Sequence, residues 1–152
     1  MRTNSKSALY FDTSALLPYY RQELLSQTVQ DLLISTTAEI FISHLTEVEF
    51  ASVLARLKRT NEIREADALA IQKKFVEHMA FGYYTLESVS IHDFKQAKNW
   101  LLSRQTTLHT LAALHLACAT AASAILVTAD KQLWKAATEL GLACQFLSVK
   151  IH

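Results

Sequence analysis

Apolar positions along this chain alternate between short continuous runs and stretches spaced at three and four residues, which is the signature of strands interleaved with helices. The first run, Ala8–Phe11, predicts a buried strand and delivers one acid, Asp12, followed by Thr13, Ser14 and a further apolar segment. Helices are predicted over Thr13–Tyr20 and over residues 24–34, the second with Leu25, Val29, Leu32 and Leu33 at helical spacing. Glu39–Ser43 reads as a second strand, and residues 45–59 as a helix whose apolar side carries Val48, Phe50, Ala51, Val53, Leu54 and Leu57. Asn61 interrupts the pattern, and residues 64–81 form a third amphipathic helix ended by Gly82, a residue suited to the left-handed position after a helix.

The second half repeats the alternation. Residues 83–90 predict a strand and its exit, 91–102 a helix, and 108–122 an alanine-rich helix able to pack closely on a sheet. Residues 124–127 form the next strand, leading into Thr128 and Asp130; a helix over 131–140 is closed by Gly141, and 145–147 make a last short strand. Strands alternating with helices imply right-handed crossovers. The expected class is therefore α/β, with a mainly parallel central sheet flanked by helices. No repeat, low-complexity tract or linker divides the chain, so residues 1–152 are expected to form a single domain.

One segment imitates a membrane span, because residues 106–129 contain no Asp, Glu, Lys or Arg. His109, Thr110, His115, Thr120 and Ser123 interrupt it, and the β-branched run at 125–127 marks a change from helix to strand, so a buried helix and strand are expected and no membrane association. With 152 residues, 51% hydrophobic and 19% charged, the chain has ordinary globular composition and length enough for one core without disulfides. The net charge of +1 leaves nucleic-acid binding to a local basic face. Two cysteines, Cys118 and Cys144, are neither a disulfide framework nor a metal motif and suit a reducing cytoplasm. The N-terminal residues lack the apolar core of a signal peptide.

The candidate chemistry lies in acids placed at predicted strand ends. Asp12, Asp130 and one or both of Glu47 and Glu49 can meet at one edge of a parallel sheet. Crowded carboxylates repel one another unless a cation compensates, and hard oxygen ligands suit Mg²⁺ or Mn²⁺. Such an ion can activate water and orient a phosphodiester. The plainer alternative for Asp12 is a helix cap, a role Thr13 and Ser14 also fit. His115 reads as a hydrogen-bonded packing residue, and Arg56, Lys58, Arg59, Arg64, Lys73 and Lys74 as a solvated helix face with a second use in guiding RNA. The leucines at 24, 25, 32 and 33 exceed one helix stripe and mark a partner surface or a broad core contact. With only Gly82 and Gly141, phosphate-cradling glycine loops are absent. A receiver domain expects further acids near the first strand, and a dehalogenase-like phosphatase expects a second Asp where Ser14 stands.

Four segments, LYFDTSALL, ISHLTEVEFASVLAR, LHTLAALHLACA and ILVTADKQL, resemble in order the signature segments of PIN-domain proteins, most closely the VapC-like toxins of bacterial toxin–antitoxin pairs. The resemblance implies a Mg²⁺- or Mn²⁺-dependent endoribonuclease, a homodimer held inactive by a cognate antitoxin. It implies Asp12, Glu49 and Asp130 as the metal-site acids, with Thr13, Ser14 and Thr128 supporting them. The chain departs from the family pattern at Ala112, where an acid is expected at the start of the alanine-rich helix. A methyl group cannot ligate a metal, so the resemblance implies reduced or lost activity. Either the chain is a naturally weakened nuclease, or the position has been inactivated by substitution, and a PIN fold that binds RNA or an antitoxin without cutting is the non-enzymatic alternative.

Overall fold

The computed structural model describes residues 7–149, so the first six residues of the N-terminal stretch read above for a signal peptide lie outside the described residues, as do residues 150–152. Five strands, β1 (Ala8–Phe11), β2 (Glu39–Ser43), β3 (Thr85–Glu87), β4 (Ile125–Thr128) and β5 (Cys144–Phe146), form one sheet in the order β3-β2-β1-β4-β5. Every pairing is parallel, with Tyr10 opposite Phe41 on one side and Leu126 on the other. The helices are α1 (Thr13–Tyr20), α2 (Ser26–Ser35), α3 (His44–Arg59), α4 (Glu65–Ala80), α5 (Ile91–Ser103), α6 (Thr110–Ala121) and α7 (Lys131–Glu139).

Strand alternation divides the core into two halves. Leu9 and Phe11 point to one face with Ile42 and Val127, where Leu16, Val29, Phe50, Leu54 and Phe75 from α1 to α4 cover them. Tyr10 and Leu126 point to the other, against Ala97, Leu116, Leu133 and Ala137 from α5, α6 and α7. Successive strand residues face opposite ways, so a strand buried on both faces must be apolar throughout, which is why β1 appears as a continuous run rather than an alternating one. Small residues in α6 let that helix lie close to the sheet, and the segment that imitated a membrane span is α6 and β4. No helix among the described residues is long and apolar enough to cross a membrane.

The departures from the predicted boundaries have local causes. The helix expected from residue 24 begins at Ser26, because the Ser26 hydroxyl accepts from Glu23 N and donates to the Arg21 carbonyl, closing a turn before the helix can start. Leu25, Leu32 and Leu33 pack against the core, whereas Leu24 is 85% exposed. The strand expected over 83–90 shrinks to three residues. Gly82 takes φ +77° after α4, and the turn that follows sends Tyr84 into the core beside Phe75 rather than along a ladder. The last strand is Cys144–Phe146, one residue earlier than the pattern indicated.

Candidate functional site

In a parallel sheet all carboxyl ends share one edge. Here the chain runs outward from β1 through β2 to β3 and then returns to build β4 and β5 on the other side, so the order reverses between β1 and β4. Helices leave the sheet in opposite directions at such a switch point, opening a crevice between their N-termini. β1 ends one residue before Asp12, β2 ends in Ser43 and feeds the helix carrying Glu49, and β4 ends at Thr128, two residues before Asp130. A cleft of about 210 Å³ opens there, lined by Asp12, Thr13, Ser14, Glu49, Ala112, His115 and Asp130 among others.

Asp12 is the N-cap of α1, and its Oδ1 accepts from Ala15 N at 3.0 Å and from the Ser14 hydroxyl at 2.7 Å. Its Oδ2 accepts from the Thr128 hydroxyl at 2.6 Å. Only 4% exposed, the carboxyl is pushed above its usual range by burial, against the opposing pull of His115, Thr128, Ser14 and the Ala15 amide. Thr128 Oγ1 also accepts from Asp130 N at 3.0 Å, and Ser14 Oγ accepts from Ala129 N at 3.0 Å, so the two hydroxyls stitch the β4–α7 turn to the end of β1. Asp130 caps α7 through Oδ1, which accepts from Gln132 N and Leu133 N at 2.9 and 3.2 Å. For the two Asp residues the capping and site readings coincide: Asp12 and Asp130 each cap a helix and line the cleft.

Glu49 enters from the second turn of α3. Its Oε1 accepts from the Thr13 hydroxyl at 3.1 Å and from His115 Nε2, while Oε2 has no hydrogen-bond partner among the described residues. Burial pushes the Glu49 carboxyl up, but the hydrogen bond and charge of His115, with the Thr13 hydroxyl, outweigh it and hold the carboxyl below its usual value. Glu47 points elsewhere, pairing with His44 at 3.1 Å. His115, expected as a packing residue, is 3% exposed and bonded through both ring nitrogens, and one of those bonds reaches the candidate site. The sequence signal for it is slight: His115 lies three residues after Ala112, so both fall on one face of α6.

Ala112 stands at the third position of α6, half-buried at the cleft, with no acid in that helix's first turn. Among the described residues no three His, Cys, Asp or Glu side chains group closely enough to form a ready-made metal site. The donors that remain are hard oxygens, with Glu49 Oε2 and Asp130 Oδ2 unengaged by any described residue. That set fits a largely hydrated divalent cation held through one or two carboxylates rather than a closed cage, which is how Mg²⁺ is commonly bound. The basic side chains at 56, 58, 59, 64, 73 and 74 are exposed on or just before α3 and α4 and none lines the cleft; Lys58 pairs with Glu65 at 2.7 Å. Cys118 and His115 share the interior of α6, but Cys118 Sγ faces Asp93 Oδ2 at 3.9 Å.

None of the curated proteins compared matches this chain. Among solved structures, VapBC2 from Rickettsia felis, bound to a DNA fragment from its promoter, is similar with a TM-score of 0.66 at 12% identity, covering 93% of this chain and 99% of that one. VapC20 from Mycobacterium tuberculosis, described as a sarcin-ricin loop cleaving toxin, gives 0.64 at 15% identity over 89% of this chain and 96% of that one. A toxin–antitoxin complex from Klebsiella pneumoniae gives 0.57 at 21% identity, covering 83% and 89% respectively. These likenesses establish a shared fold. The family model for the PIN domain matches residues 9–139, which takes in β1 through α7 and every residue of the cleft named above, and the chain belongs to the PIN-domain family.

Proposed function

We propose that this chain is a ribonuclease toxin of the VapC type, an endoribonuclease dependent on Mg²⁺ or Mn²⁺ and neutralised by a cognate antitoxin, with its activity weakened by Ala112. The observation that carries the reading is that Asp12, Glu49 and Asp130, from three separate elements, line one cleft at the switch point of a PIN-domain sheet. Asp12, Glu49 and Asp130 would hold the ion, which when bound would supply Lewis acidity and an activated water for phosphodiester hydrolysis. The chain's own residues prepare the place for it. Thr128 and Ser14 donate to Asp12 and fix both its oxygens, Thr13 donates to Oε1 of Glu49 alone, and the α7 cap aims Asp130. The buried Asp12 carboxylate is unfavourable by itself, and a cation beside it offsets that cost.

The relatives solved as toxin–antitoxin complexes support an antitoxin partner. A homodimer rests on the family resemblance, and a cytoplasmic location on the two free cysteines. A second reading, a PIN-fold module that binds RNA or an antitoxin without cutting, is favoured by the methyl group of Ala112 and by the lack of a three-ligand group among the described residues. Incubating the purified chain with single-stranded RNA in Mg²⁺, in Mn²⁺ and in chelator separates the two. Cleavage that needs the ion and disappears in Asp12→Ala supports the nuclease. RNA or antitoxin binding with no cleavage under any condition supports the binding module.

A further inference from the structure

Tyr10, fully buried in the central strand, places its hydroxyl 2.7 Å from Ser43 Oγ and 2.7 Å from His115 Nδ1. Ser43 is the N-cap of α3, where its hydroxyl accepts from Leu45 N at 3.2 Å, and α3 is the helix that carries Glu49. His115 Nε2 meets Glu49 Oε1, and since an ionised carboxylate only accepts, Nε2 carries the proton of that bond. The bonds thus form a closed circuit from the cap of α3, through β1 and α6, back to the second turn of α3. A histidine whose far nitrogen is fixed has only one ring orientation available, and a carboxylate oxygen that takes two donors is fixed with it.

We propose that His115 is a positioning residue for Glu49: it and Thr13 occupy Oε1, turning Oε2 into the cleft as the oxygen available to a divalent cation. Tyr10 acts one step further back by holding the ring. This rests on the reading of Glu49 as a cation ligand. The role belongs to geometry rather than to packing, because a leucine would fill much of the space of the imidazole yet leave Glu49 Oε1 with the Thr13 hydroxyl alone.

The test is calorimetric titration of the purified chain with Mn²⁺, alongside NMR of the imidazole N–H protons. In the parent, one Nε2 proton of His115 should exchange slowly with water, and its resonance should move in Glu49→Gln. His115→Leu should weaken Mn²⁺ binding about tenfold or more, the usual effect of removing a group that orients a ligand. His115→Gln, which returns an N–H donor near the same point, should recover most of the loss. Tyr10→Phe, which spares the bond to Glu49, should weaken binding less than His115→Leu and should report on the circuit if the leucine variant fails to fold. A folded leucine variant that binds Mn²⁺ as tightly as the parent overturns the proposal while leaving the cation reading intact. A parent that binds no Mn²⁺ at all overturns the cation reading and the proposal with it.

Discussion

Thr128, at the end of β4, donates its hydroxyl proton to Asp12, at the end of β1, across 2.6 Å. The bond crosses the line where the sheet order reverses, so the side chain that fixes the first acid also closes the crevice in which it sits. The same hydroxyl accepts the Asp130 amide, tying the position of the last acid to the first.

Restoring a carboxylate at position 112 should raise divalent-dependent cleavage of single-stranded RNA. Loss of one group from a site that acts as a unit can cost on the order of a thousandfold in rate, about 4 kcal/mol. Ala112→Asp should recover a comparable factor in a gel-based cleavage assay, and Asp12→Ala added to it should remove the gain. The fold should tolerate the change, since an acid in the first turn of α6 is favoured by the helix dipole by about 0.3–1 kcal/mol. A folded, Mg²⁺-binding Ala112→Asp that cuts no RNA and is harmless when expressed alone would sink the nuclease assignment.

Asp12→Asn should make the metal-free protein more stable at neutral pH. Burial raises the folded-state pKa of Asp12, so its contribution to stability is fully present below the unfolded value and is lost as pH rises through the raised one. A gain of about 1 kcal/mol would lift the thermal midpoint by about 2–4 °C in a domain of this size. The gap between variant and parent should narrow on acidification, and thermal scans at two pH values read it directly. An Asn variant less stable than the parent at neutral pH contradicts the account.

Acid should loosen the α1–α4 contact through His78. Its Nδ1 lies 2.7 Å from the Tyr20 hydroxyl, which also meets Tyr84 at 2.6 Å, and burial followed by the nearby Lys74 holds the imidazole below its ordinary 6.5, against the pull of Glu77. A depressed folded-state pKa gives stability that is present above the unfolded value and lost as pH falls through the folded one. Urea midpoints should therefore drop below about pH 6.5, and His78→Phe should flatten that part of the profile. Equal slopes in the two proteins would reject it.

Both thiols should be inert while the protein is folded. Burial pushes Cys118 up to about 12, with Asp93 adding to the shift, and pushes Cys144 up to about 12, with Asp12 adding to it. The thiolate is the reactive form. Alkylation at neutral pH should proceed at the rate of unfolding, and mass spectrometry showing fast modification of the native chain would contradict this.

The elements that place the acids were legible because they depend on local pattern. A continuous apolar run ending in Asp12, and a β-branched run ending in Thr128 and Asp130, both correspond to strands buried on two faces. Ala112 was legible only as a departure from the family pattern that its segment, LHTLAALHLACA, resembles. The bond between His115 and Glu49 was not, since 66 positions separate them and they meet only because α3 and α6, packed over opposite faces of the sheet, both begin near its carboxyl edge. Tyr83 and Tyr84 pointed to a longer strand because aromatic residues favour extended chain. Tertiary packing overrode that preference by turning Tyr84 into the core.

The central place of β1 also sets when the cleft can exist during synthesis. Asp12 leaves the ribosome more than a hundred residues before its partner Thr128 and its neighbour Asp130, and β1 lacks one of its two flanking strands until β4 has emerged. Until then a nascent chain carries the first acid without the Thr128 hydroxyl on its Oδ2 or Asp130 across the cleft. Whatever chemistry the cleft performs is therefore withheld until β4 and the start of α7 have been made, and a truncated product ending before β4 is expected to be harmless to its own translation machinery.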